Sequence, residues 1–408
     1  MDHDLHYCLE VLGCRIFQAV FKLGLYVVPF RLPEYIDGPG SISRLPEYLR
    51  AKKADNLLLV TDRTLIKLGL LDKMLQALDE SGIRYTCFSD VGSNPTSEEV
   101  ENGFRCYQEN GCRAIIAVGG GSPMDCAKAI CARVAHPNRT LAQMRGTFRV
   151  LKRTPTLFAV PTTSGTGSET TITAVITDSV TNRKATMNDF CLTPNYAVLD
   201  PELTAGLPPF ITACTGMDAL SHAVEAYTNL SYATHVEKDL AKKAVKLIYD
   251  NILAAYTDGS NLQARQNMQY AALFAGRAFT RGCVGYVHAI GHTLGSMYHI
   301  PHGLAMSVLL PPVMREYGPA VHKRLAELAD VCGIAGANDA EKSDNFISWM
   351  EETNRKMGIP NAFDMIKEED MDQIIAWSRK EAHPLYPVPV IWSKEDFFRM
   401  IQKVRSNG

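Results

Sequence analysis

The sequence predicts an α/β protein in two parts. An N-terminal domain over residues 1–202 is expected on a mainly parallel, Rossmann-like sheet, and an all-helical C-terminal domain over 203–408. Three observations carry this. From about Leu32 to Asp200 short β-rich runs alternate with helical stretches, the pattern of a parallel sheet covered by helices. After Pro208-Pro209 β-rich runs nearly vanish until the Pro-rich stretch 384–389, and apolar residues recur at three- and four-residue intervals. Finally, 408 residues exceed the ~150 that one core usually serves.

In chain order, Leu5, Leu9, Leu12, Ile16, Val20 and Phe21, with Asp4, Glu10, Arg15 and Lys22 between them, predict one amphipathic helix. Its apolar face is expected to pack on its own domain or on a dimer mate, because its polar face has too few Lys and Arg for a membrane binder. Buried-strand runs follow at Leu57–Val60, Tyr85–Phe88, Ala114–Val118 and Leu157–Val160. Helices are expected at 65–78, 98–108 and from about Met124, and residues 171–177 followed by 178–183 read as the first arm of a hairpin and its turn. The helical half reads as 211–227, 236–256, 261–278, 284–297, 303–317 and 319–332.

Composition excludes several classes. Lys plus Arg number 42 and Asp plus Glu 44, a net charge of −2 without the basic surplus of a nucleic-acid binder. No run approaches the ~18 apolar residues of a membrane span. Eleven irregularly spaced cysteines, an odd number without a Cys-x-x-Cys pair, argue against a disulfide framework or a zinc knuckle. The start, Met1-Asp2-His3-Asp4, lacks the basic region of a secretory signal, so a cytoplasmic location is expected.

Four motifs carry chemistry. GGGSPMDCAKA (119–129) follows a strand; its glycines allow a sharp turn, Ser122 is placed to cap the next helix and Pro123 suits the first turn. The helix N-terminus then favours a phosphate, although a plain strand-to-helix turn has the same signature. PTTSGTGSET (161–170) is a polar loop suited to a cofactor amide or sugar, and equally to an ordinary surface. Asp62, after the strand 57–60, is placed either to accept from a ribose diol, choosing NAD over NADP, or to cap the helix ahead of Thr64. The strongest signal is in the helical half. Asp218 and His222 stand four apart on one helix, as do His288 and His292 on another, and His302 follows. Two such ionisable pairs are costly to bury without a shared ion, and a carboxylate with imidazoles suits Fe or Zn rather than Mg or Ca. Glu225 lies on the face of His222, either supporting it or sitting on a solvated surface.

Together GGGSPMDCAKA, PTTSGTGSET, LDPELT (199–204), GMDALSHAVEAY, VHAIGH and IPHG, in this order, resemble the iron-containing (group III) alcohol dehydrogenases over about Leu32 to Tyr317. The resemblance implies a dinucleotide domain and a helical metal domain flanking a cleft, NAD(P), a divalent metal and a homodimer. It implies Asp218, His222, His288 and His302 as metal ligands, with Fe2+ expected and Zn2+ the alternative, and His292 as a histidine near the nicotinamide. Asp62, Asn94, Gly120, Gly121, Ser122, Pro123, Asp125, Thr162, Thr163, Thr171 and Lys184 match positions that touch the dinucleotide, and Asp62 points to NAD rather than NADP. Arg281, Cys283 and His299 depart from the family pattern, which has Asn, Gly and Asp or Asn at those places; the first helix is longer than in many members. The reaction implied is hydride transfer between a small primary alcohol and the nicotinamide, with His292 as proton relay. A glycerol or polyol dehydrogenase on the same scaffold is the nearest alternative. A dehydroquinate-synthase-like cyclase and a non-catalytic metal-binding protein are more distant ones.

Overall fold

The computed structural model describes residues 2–28, 30–181 and 184–406, and no side chain before residue 6. The side chains of Asp4 and Leu5, and the turn residue Arg183, therefore lie outside the described residues.

The chain divides into two compact units, one of Met1–Val28, Leu207–Gly259 and Tyr270–Gly408, the other of Pro29–Gly206 and Ser260–Gln269. The second is the α/β unit. Its strands are β1 (Glu34–Asp37), β2 (Asn56–Val60), β3 (Arg84–Phe88), β4 (Ala114–Gly119), β5 (Gly146–Thr147), β6 (Thr156–Pro161), β7 (Thr173–Thr177), β8 (Lys184–Asn188) and β9 (Tyr196–Leu199). Six form one sheet in the order β1-β9-β6-β4-β2-β3, every neighbouring pair parallel. Leu58, Val60, Ile115 and Ala117 enter the core on one face, while Leu57, Leu59, Ile116 and Val118 enter the core on the other. Alternate side chains thus serve opposite layers, which is why these strands read as unbroken apolar runs. β7 and β8 pair antiparallel as the expected hairpin, with Thr177 opposite Lys184.

From β2 the chain steps outward to β3, then returns to β4 on the other side of β2. That reversal opens a crevice at the carboxyl ends of β2 and β4, the ordinary ligand position in an open α/β sheet. Asp62 lies past one end and the glycine run past the other.

Several details correct the sequence expectation. The helix expected over 65–78 is two, Arg63–Lys67 and Asp72–Glu80, separated by Gly69 at φ +68°. The helix after β4 begins at Gly121 with Gly120 as its N-cap and no side-chain cap, so Ser122 is not the cap. The Ser122 hydroxyl instead donates to the carbonyl of Ser93 at 2.6 Å.

The helical unit holds helices Pro209–Thr228, His235–Thr257, Tyr286–Tyr298, His302–Tyr317 and His322–Cys332, close to the expected bounds. Asp339–Lys356, Met371–Ala382, Lys394–Val404 and the part from Tyr270 of helix Leu262–Gly282, expected over 261–278, also belong to it. The first helix, Asp2–Leu25, belongs here and not to residues 1–202 as expected. Its polar residues hold the Pro-rich strap. The Tyr7 hydroxyl donates to Ile391 O (2.6 Å), Arg15 to Val388 O and Pro389 O (2.9 and 3.1 Å), and Gln18 Nε2 to Pro384 O and Tyr386 O (3.0 and 2.8 Å). Glu10 pairs with Arg379 (2.6 Å) and His383 (3.0 Å). Residues 260–269 instead join the α/β unit, where Gln269 Nε2 donates to Asp200 O at 3.0 Å.

Gly119 ends β4 at φ +151°, and a Cβ there would fall 2.5 Å from Pro123 Cγ. Gly119→Ala is expected to cost about 1–3 kcal/mol, read as a lowered unfolding midpoint in thermal denaturation.

Candidate metal centre

The helices Pro209–Thr228 and Tyr286–Tyr298 pack with the start of His302–Tyr317, and at their meeting point four side chains converge. Asp218 and His222 come from successive turns of the first helix, His288 from the second, and His302 opens the third. One ligand atom from each lies within 4.8 Å of all the others. Close backbone approach makes this possible: a Cβ on Gly303 would stand 2.6 Å from the carbonyl oxygen of Cys214, so only glycine lets His302 come this near the first helix. The Asp218 carboxylate oxygen Oδ1 is 3.2 Å from His302 Nε2 and 3.9 Å from His222 Nδ1.

Asp218, His222 and His288 are buried. Burial pushes His222 down to about 3 and His288 well below its ordinary value, so both imidazoles are neutral at physiological pH and present lone pairs. Asp218 Oδ1, His222 Nδ1 and His288 Nε2 have no hydrogen-bond partner. Each such atom costs about 1–3 kcal/mol if left unsatisfied. A divalent cation is the one partner that satisfies a carboxylate oxygen and neutral imidazole nitrogens together, so the residues present fit the metal that the sequence implied.

Glu225, the expected partner of His222 or a surface carboxylate, is neither. It is 1% exposed, and its Oε2 receives His288 Nδ1 at 2.5 Å while its Oε1 accepts from Val287 N at 2.8 Å. The contact places the hydrogen of His288 on Nδ1 and its lone pair on Nε2, toward the centre. Its position one turn beyond His222 was readable from sequence, but its partner on another helix was not.

His292 stands beside the quartet, its ring stacked on that of His302 at 5.2 Å between centroids. Its Nδ1 is 2.7 Å from Glu381 Oε1, which also accepts from the Tyr386 hydroxyl at 2.9 Å. Burial alone would raise the Glu381 carboxyl, but His292 and Tyr386 outweigh it and hold it below its ordinary value. Glu381, near the end of helix Met371–Ala382, and Tyr386, on the strap clamped by Arg15 and Gln18, carry no local sequence signal.

In the α/β unit, Asp62 Oδ1 accepts from Thr64 N (2.8 Å) and Leu65 N (3.1 Å), so the helix-cap reading is realised by one oxygen. Asn94 is exposed on the loop next to Ser93, the partner of Ser122. Thr162 N donates to Gly119 O at 3.0 Å, and Thr163 lies against Gly120, joining the second loop to the glycine turn. Asp125 and Thr171 meet in a network that the sequence did not disclose. Buried Lys128 donates to Ser168 Oγ (3.0 Å), Thr171 Oγ1 (2.7 Å) and Thr173 O (2.9 Å), while Asp125 accepts from Ser168 Oγ (2.9 Å) and Val175 N (3.0 Å). Burial pushes Lys128 down to about 8, with Asp125 opposing. Lys184 is exposed at the start of β8.

The departures from the family pattern have a backbone signature. Cys283 and His299 adopt φ +66° and +57°, a region that glycine and asparagine occupy most readily, so a side chain there costs of order 1 kcal/mol. Arg281 donates from Nε to Tyr232 O at 3.1 Å.

Residues 33–201 match the model of the iron-containing alcohol dehydrogenase family, and 212–404 that of the C-terminal part of the Fe-containing alcohol dehydrogenase family. The 1,3-propanediol dehydrogenase of Klebsiella pneumoniae is 38% identical over 352 residues, 85% of this chain and 90% of that protein. An NADPH-dependent butanol dehydrogenase of Clostridium saccharobutylicum is 37% identical over 334 residues, 81% of this chain and 84% of that one. The crystal structure of a 1,3-propanediol oxidoreductase superposes with a TM-score of 0.89 at 35% identity, covering 93% of this chain and all of that one. Matched in both halves of its length and over most of its relatives, the chain belongs to the iron-containing alcohol dehydrogenases.

Proposed function

We propose that the protein is an NAD-dependent, divalent-metal-dependent alcohol dehydrogenase that interconverts small primary alcohols and their aldehydes. The observation that carries this reading is the convergence of Asp218, His222, His288 and His302, three of whose buried ligand atoms have no other partner. These four would hold the ion. Iron is the family's metal, while the affinity order favours zinc at equal supply, so supply decides occupancy. A bound divalent ion would supply Lewis acidity toward an alcohol oxygen, and a nicotinamide dinucleotide would supply the hydride acceptor.

The chain's own residues do the rest. Glu225 holds the proton of His288 on Nδ1, keeping Nε2 a ligand. Glu381 does the same for His292, so that the alcohol proton is taken at His292 Nε2. The backbone N–H groups that open helix Gly121–Ala135 suit the pyrophosphate, with Gly120, Gly121, Ser122 and Pro123 forming the turn. Asp62 offers Oδ2 to a ribose diol while Oδ1 caps its helix; a carboxylate there disfavours a 2′-phosphate. Because one relative carries an NADPH-dependent name, residue 62 and not family membership supports NAD. Asn94, Thr162, Thr163, Thr171 and Lys184 remain candidates for the same ligand. Asp125 would act by tying the second loop to the helix through Ser168.

His288→Ala is expected to abolish stoichiometric metal and turnover while the far-ultraviolet circular dichroism stays unchanged; metal retained at one equivalent would show the ligand set to be wrong. Glu225→Gln should weaken metal affinity about 10–100-fold with the fold intact, measured by competition with a chelator. Asp62→Gly should narrow the ratio of kcat/KM for NAD over NADP by at least about tenfold, and an unchanged ratio would remove the carboxylate from the ribose. Steady NADH production from simple alcohols by the Fe2+-loaded protein separates this reading from a cyclase that returns its cofactor unchanged.

A further inference from the structure

The proposed ribose contact leaves the cation beside it unexplained. The pairing of β2 with β3 continues past the strand ends: Thr61 N donates to Phe88 O at 3.0 Å, and Asp62 and Asp90 form an isolated antiparallel bridge. Two acidic residues therefore leave neighbouring strands side by side. The cation is Arg63, the first residue of the short helix that Asp62 caps. Its Nε and Nη2 both donate to Asp90 Oδ1, at 2.8 and 2.6 Å.

This pair does little for the fold. The two side chains are 72% and 58% exposed, so water screens their attraction, and both stay within reach of a ligand. What the pair does is orient a fork. A guanidinium takes a phosphate best when two parallel N–H groups meet two of its oxygens, and nucleotide folds that accept a 2′-phosphate place an arginine for that purpose. Here the Nε and Nη2 edge of Arg63 is already given to a carboxylate. Lys67, one turn along the same helix, is exposed but offers a phosphate only a point charge.

We propose that Asp90 is a second selector of the dinucleotide, a positioning residue that acts through Arg63. By holding the Nε and Nη2 edge it withholds from a 2′-phosphate the cation that adjoins the ribose site. The inference rests on the ribose reading of Asp62 and divides the selection in two. Asp62 takes the diol and repels a phosphate at that position; Asp90 denies the phosphate its partner. Replacing Asp62 alone makes room without supplying a ligand. Replacing Asp90 alone frees the guanidinium beside a carboxylate that still repels, so the effect of Asp90 emerges only once Asp62 is gone.

The test measures binding to the full chain by titration calorimetry, with adenosine 2′,5′-bisphosphate and 5′-AMP as probes, which differ only in the 2′-phosphate. On an Asp62→Gly background, Asp90→Asn is expected to tighten the bisphosphate about fivefold and to change 5′-AMP less than about twofold, with the unfolding midpoint retained. With Arg63→Gln added, the gain from Asp90→Asn should fall below about twofold. Asp62→Asn, which keeps a side-chain cap on the helix, is run in parallel as a second background. A gain undiminished by Arg63→Gln would mean that Asp90 acts by its own charge or that Lys67 is the ligand, and overturns the proposal. So does the absence of any gain from Asp90→Asn where Asp62→Gly has already tightened the bisphosphate, an outcome that leaves the ribose reading standing. Asp62→Gly without effect on the binding of either probe removes both.

Discussion

A carboxylate and neutral imidazoles facing one another across a few ångströms in a helical interior define the strictest constraint on this chain. Asp218, His222 and His288 are buried, and their inward atoms have nothing else to bind. Leaving several such atoms unsatisfied would consume much of the marginal stability of a folded domain. The surroundings follow from that geometry. Gly303 lets helix His302–Tyr317 start against helix Pro209–Thr228, and Glu225 reaches from one helix to the imidazole of another. The stack of Phe279 on His222, 4.1 Å between centroids, fixes a ring that has no hydrogen bond on Nδ1.

The same logic extends outward through the strap at 384–391. This Pro-rich segment presents carbonyl oxygens that no sheet or helix of its own satisfies, and the first helix supplies donors for five of them from Tyr7, Arg15 and Gln18. The strap in turn carries Tyr386, whose hydroxyl meets Glu381, whose carboxylate meets His292. A helix absent from the matched family regions is thereby joined, bond by bond, to the histidine beside the candidate metal centre. Turning its polar face inward to make these bonds is what leaves the apolar face in solvent.

Much of this was legible in the amino-acid sequence, for reasons that differ by element. The central strands were readable because residues such as Leu57–Val60 are buried on both faces, which forces an unbroken apolar run. The convergence of Asp218, His222, His288 and His302 was readable because i, i+4 pairs of Asp and His on helices are rare without a job, and the family motifs arrive in order. Edge strand β1 and its neighbour β9 escaped notice because four residues each, part of them exposed in β1, leave too short a pattern. Glu225 was misjudged because helical periodicity states which face a residue shares, not whether that face is buried. For the first helix the sequence left open whether the apolar face packs on its own domain or on a dimer mate; the own-domain alternative fails because a row of carbonyls competes for the inward side and takes the polar face.

Of the two readings of Asp62 that the sequence could not separate, the helix cap is the one the structure shows, and the ribose contact is the proposal. The cap bonds to Thr64 N and Leu65 N use a single oxygen and orient the carboxylate rigidly past the end of β2. A side chain so held would lose little conformational freedom on meeting a ligand, so the cap leaves the proposed ribose contact open. Lys128 plays the matching part opposite. Its three bonds gather Ser168, Thr171 and Thr173, and Ser168 ties the group to Asp125 on the helix that follows the glycine turn. The second loop is thus fastened to the first by a buried cation and not by packing, which lets both loops stay polar at their tips while remaining fixed at their roots.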